Sequence, residues 1–106
     1  MDVKELICQL AEPKKSIEDI LINAASAGHS EIVKFLLEAG VNPNVRNEDK
    51  WTALIGASEN GHTKIVKLLL EAKANPNVQN ESGWTALSLT RNPEIKNLLI
   101  QAGAKT

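Results

Sequence analysis

The chain repeats itself every 33 residues. Laying Lys14–Arg46 over Asn47–Gln79 makes 16 of the 33 positions identical. The shared positions include Gly28-His29 with Gly61-His62, and Ile32-Val33-Lys34 with Ile65-Val66-Lys67. They also include Asn42-Pro43-Asn44-Val45 with Asn75-Pro76-Asn77-Val78. The match resumes further on, where Asn80-Glu81 and Trp84-Thr85-Ala86-Leu87 repeat Asn47-Glu48 and Trp51-Thr52-Ala53-Leu54. A unit this short cannot bury its own apolar face. The units must therefore stack, each touching only its neighbours, as a solenoid.

Each unit carries two helical patterns. The first runs over about Ile17–Ala27 and is ended by Gly28, with Ser16-Ile17-Glu18-Asp19 reading as a capping box. The second runs over about Ser30–Ala39, with Ser30 as candidate N-cap and Gly40 as the left-handed residue after the helix. Its packing stripe is Ile32, Val33, Leu36 and Leu37, widened by Phe35. In the next unit Thr52 opens a helix over about Ala53–Asn60, and Thr63 is expected to cap one over about Lys64–Ala72. Turn formers fill the connection from Asn42 to Lys50. Leu54, Leu69 and Leu87 are expected at equivalent buried layers. Lys73 stands where Gly40 and Gly103 stand, and Lys50 where Gly83 stands. Both lysines are strained if those positions need positive φ.

The ends differ from the middle. Val3, Leu6, Ile7 and Leu10 follow helical spacing until Pro13, which predicts a cap helix over residues 1–13. Repeats are then expected over 14–46 and 47–79, with a shortened capping repeat over 80–106. In that last repeat Asn92-Pro93-Glu94 replaces the Gly-His corner, as N-cap, first helical residue and first-turn acid. Lys96 and Asn97 give it a polar outer face. The expectation is one domain over 1–106, an array closed at both ends.

This pattern resembles the ankyrin repeat family, whose unit is a β-turn followed by two antiparallel helices with a T-P-L-H-x-A signature. Here the signature reads Thr52-Ala53-Leu54-Ile55-Gly56-Ala57 and Thr85-Ala86-Leu87-Ser88, so its Pro and His are both replaced. The resemblance covers roughly residues 14–104. It implies an all-α solenoid of stacked helix-turn-helix units joined by β-turn or hairpin fingers. In the family the motif His helps to hold the turn between repeats, so these turns are expected to be less firmly held. The function implied is protein binding, without naming the partner.

Composition narrows the alternatives. The 106 residues carry a net charge of −1 with both signs interspersed, so no basic face for nucleic acid is visible. No run of apolar residues is long enough to span a membrane. The start, Met1-Asp2-Val3-Lys4-Glu5, lacks the order of a signal peptide, and the single Cys8 fits a reducing compartment. A cytoplasmic protein is expected, with non-classical export left open. Asn80-Glu81-Ser82 then reads as a chance glycosylation sequon. His29 and His62 occupy one corner position in successive repeats, too few ligands for a metal site. No phosphate loop, nucleophile–base arrangement or catalytic carboxylate pair is legible, so no enzyme, cofactor or small-molecule substrate is expected.

Trp51 and Trp84 carry the functional reading. They are two of only three aromatics, and they share one register. Each ends a finger just before the Thr that opens a first helix, a position that in the family faces the concave surface. Tryptophan is enriched at binding hot spots, although the same ring can simply cover the base of a finger. Arg46, Glu48, Asp49, Gln79, Glu81 and Ser82 lie on the fingers. Glu59, Asn60 and Arg91, with Ser26 and Ala27, lie near the ends of the first helices. Glu48, Asp49, Glu59 and Glu81 bias the face acidic, which suits a partner bearing Arg or Lys beside an apolar spot. The leading expectation is a monomeric module that docks another protein in its concave groove. The alternative is a self-assembling structural element.

Overall fold

A computed structural model of the chain describes residues 17–105. The expected cap helix over 1–13 and the capping role of Ser16 lie outside the described residues.

Six helices follow in order: α1 Ile17–Ala27, α2 Ser30–Glu38, α3 Ala53–Glu59, α4 Thr63–Glu71, α5 Ala86–Leu89 and α6 Pro93–Gln101. No strand forms among the described residues. The odd-numbered helices make one row and the even-numbered helices another. α3 packs between α1 and α5, and α4 packs between α2 and α6. Each unit is thus a helix pair laid on the previous pair, the two-layer solenoid that the period requires.

The core runs along the contact between the rows. Leu21, Leu54, Ile32, Ile65, Ile95, Leu36, Leu69 and Leu99 are all fully buried in one continuous cluster. Leu54 and Leu69 sit where expected, but Leu87 is only partly buried. The reason is its neighbours: α3 is covered on both sides, whereas α5 is four residues long and packs on α3 from one side.

Helix ends show where local sequence decides. The Thr52 hydroxyl accepts from Ile55 N at 3.2 Å, and that of Thr85 accepts from Ser88 N at 3.2 Å. Asn92 Oδ1 accepts from Glu94 N at 2.9 Å, with Pro93 opening α6. Ser30 and Thr63 are not N-caps; each is the first residue of its helix. His29 and His62 occupy the cap position without a side-chain bond. His29 N closes α1 on Ala24 O at 2.9 Å, and Ser30 N already bonds Gly28 O at 3.1 Å.

Lys73 has φ 71°, beside Gly40 at 92° and Gly103 at 103° in the equivalent places. A side chain in this region costs about 1–2 kcal/mol, while glycine adds unfolded-state entropy that offsets part of the relief. Lys73→Gly is therefore expected to raise stability by about 0.5 kcal/mol in urea melts. An unchanged or lowered midpoint would mean that the lysine is not strained there.

Ser58 is a second local cost. Its side chain is fully buried and its Oγ has no hydrogen-bond partner. Ala25, in the equivalent place of the preceding repeat, is equally buried and has no polar atom to satisfy. Ser58→Ala removes a desolvated hydroxyl and improves helix propensity, so a gain of about 1 kcal/mol is expected in the same melts. A loss of stability would place a buried water on that hydroxyl.

Candidate functional site: a groove between the fingers and the first-helix row

The first finger is a tight turn. Lys50 N bonds Asn47 O at 3.0 Å, and Asn47 N bonds Trp51 O at 3.1 Å. Lys50 has φ 61°, and Gly83, its counterpart on the second finger, has φ 84°. This is a turn followed by one left-handed residue, a common short hairpin connection. The side chain of Asn47 locks it: Oδ1 accepts from Asp49 N at 2.9 Å and from Trp51 N at 3.0 Å. Asn80 does the same on the second finger, for Ser82 N at 2.9 Å and Trp84 N at 3.0 Å.

Asparagines also join the repeats. Asn44 Oδ1 accepts from Asn75 N at 2.6 Å, and Asn44 Nδ2 donates to Lys73 O at 3.4 Å. Asn77 repeats the pair, accepting from Lys105 N at 2.9 Å and donating to Gly103 O at 3.1 Å. The expectation that turns lacking the motif His are loosely held is corrected by these bonds. A short amide side chain with both a donor and an acceptor satisfies the turn backbone instead.

Between the first finger and the helices lies an open hollow of about 290 Å³. It is lined by Ile22, Asn23 and Ser26 of α1, Asn47, Asp49 and Trp51 of the finger, and Gly56, Glu59 and Asn60 of α3. A second depression, lined by Asp19, Asn23, Asn47, Glu48 and Asp49, adjoins it through three shared residues. The floor depends on close approach of α1 and α3. A Cβ on Gly56 would collide with Ser26 Oγ, and one on Gly28 would meet the His62 ring at 2.8 Å. Asn60 Nδ2 donates to Ser26 O at 3.0 Å, and His62 Nε2 lies 3.1 Å from the same carbonyl. His62 thus closes the corner between repeats. No cluster of metal-ligating side chains occurs among the described residues.

The residues expected at the site divide into two groups. Trp51, Glu48, Asp49, Glu59 and Asn60 come together around the hollow and its neighbour. Trp51 is partly buried against the core, whereas Trp84 is 51% exposed on the second finger. Glu81 and Ser82 share that finger, and Arg91 is exposed between α5 and α6. Arg46 and Gln79 bridge the fingers: Arg46 Nη2 donates to Gln79 O at 2.9 Å. Glu81 N adds a second link, donating to Asp49 O at 3.3 Å. Asp19, Asn23, Asn47 and Gly56 were not expected at the groove. One signal for them was in the sequence, since Asp19, Asn23 and Ser26 follow i, i+4, i+7 spacing and so share one face of α1.

A family model described as ankyrin repeats (3 copies) matches residues 3–80 and 21–106. The chain belongs to the ankyrin repeat family. Ankyrin repeats are generally protein–protein interaction modules, and the family is typically non-catalytic. In this ankyrin repeat protein no described helix is long and apolar enough to cross a membrane. No curated protein matches the chain.

Proposed function

We propose that this ankyrin repeat protein docks a segment of one partner protein in the groove between its fingers and its first-helix row. The observation that carries this reading is the hollow lined by Trp51, Asp49, Glu59 and Asn60, with an indole on a finger clamped by Asn47. The second finger, with Trp84, Glu81 and Ser82, extends the contact, and Arg91 adds its outer edge. The groove is short, so the interface is expected to bury on the order of 1,200 Å² in total, the lower end of the standard range. In this reading the chain works as a monomeric cytoplasmic scaffold that carries out no chemistry, with no cofactor, nucleic acid or small-molecule substrate.

Affinity capture tests it, with the Trp51→Ala/Trp84→Ala double variant as control bait. Proteins held by the parent and lost on the folded double variant support the groove. Identical capture by both baits overturns it. A sedimentation series over rising concentration addresses the alternative: a mass that doubles would favour self-assembly.

A further inference from the structure

Resting on that groove reading, we infer that the bound segment presents an arginine side chain to the hollow, seated against Trp51 and among the carboxylates of Asp49 and Glu59. Charge is the first argument. The chain carries 12 Lys and Arg against 13 Asp and Glu, a nearly even mixture. Among the described residues that line the two joined depressions, Glu48, Asp49 and Glu59 are present and no lysine or arginine is. Of the cations on the first finger, Arg46 donates to Gln79 O of the second finger, and Lys50, between Asp49 and Trp51, lines neither depression.

The second argument is the wall. Trp51 is held from both sides, its backbone by Asn47 Oδ1 and its ring by packing against the core cluster. An indole packed on the core and lining the same hollow as Asp49 and Glu59 can attract a cation through its ring quadrupole while the acidic residues attract it by charge. The third is size. At about 290 Å³ the open hollow has room for one long side chain. Arginine fits this lining better than lysine. Its guanidinium is planar, weakly hydrated and stacks on aromatic rings, and its fork of five donors matches carboxylate acceptors.

The test uses random dodecapeptides displayed on phage, selected against the intact chain and counter-selected against Trp51→Ala. Peptides that depend on Trp51 are expected to share an arginine. Changing that arginine to lysine should weaken a synthetic copy about tenfold, a step of roughly 1.4 kcal/mol. The Asp49→Asn/Glu59→Gln double variant should lose a similar factor while its thermal melt stays that of the parent. Binding should also weaken as salt rises. Trp51-dependent peptides without a basic residue would overturn the inference and leave the groove reading intact, as would equal affinity for the lysine peptide. If no selected peptide depends on Trp51, the inference fails together with the groove.

Discussion

Leu69→Ala is expected to cost about 2–5 kcal/mol, the range of buried leucine truncations. Leu69 is fully buried on α4, the middle helix of its row, which packs on α2 and on α6. Removing its isobutyl group leaves a cavity in the continuous core cluster of the stack. In a stacked array stability is a sum of unit and interface contributions, so damage to the middle repeat weakens two interfaces at once. Domains of this size hold only about 5–15 kcal/mol in total, and the upper end of the expected loss unfolds much of the population. Leu99→Ala provides the comparison. Leu99 is equally buried, but α6 packs on α4 from one side, so its truncation should cost less. Urea melts of the two variants against the parent decide the matter. A loss below about 1 kcal/mol for Leu69→Ala, or a larger loss for Leu99→Ala, would contradict the stacking energetics argued here.

The fold was legible because its strongest signals are local and repeated. Gly28 and Gly40 end α1 and α2 where their conformational freedom is needed, and Thr52 and Asn92 cap as their side chains dictate. The misreadings at Ser30 and Thr63 have one cause. A corner that bonds backwards into the previous helix brings the next helix forward by a residue, and tertiary compactness overrides the capping preference. The partial exposure of Leu87 has a different cause. An apolar pattern says which face a residue is on but not how many helices cover that face. The site was legible only in part. The finger residues stand out because Trp51 and Trp84 recur in one register at the finger ends, whereas Asp19 and Asn23 look like ordinary polar positions on an amphipathic helix. Their place on the groove follows from stacking α1 against the next finger, a contact between units. Gly56 was hidden for a related reason: the close contact of Ser26 with α3 exists only once two repeats are laid together.

Trp51→Ala is expected to weaken partner binding by about 2 kcal/mol or more, roughly thirtyfold, the range of a hot spot. Covering an indole removes on the order of 150–250 Å² from water, and few other side chains in the groove offer comparable apolar area. The stability effects of the two tryptophans should differ. Trp51 rests on the core, so its loss should cost the free protein about 1–2 kcal/mol. Trp84 is 51% exposed, and its loss should cost less than about 1 kcal/mol. Binding therefore has to be measured at a temperature where both variants remain folded, with melts run beside the titrations. If Trp51→Ala loses several kcal/mol of stability, the ring is a structural plug and its binding role cannot be separated from folding. Should Trp84→Ala retain parental affinity while Trp51→Ala loses it, the contact is confined to the first finger and the hollow beside it. Unchanged affinity for both variants would mean that the groove is not where the partner docks.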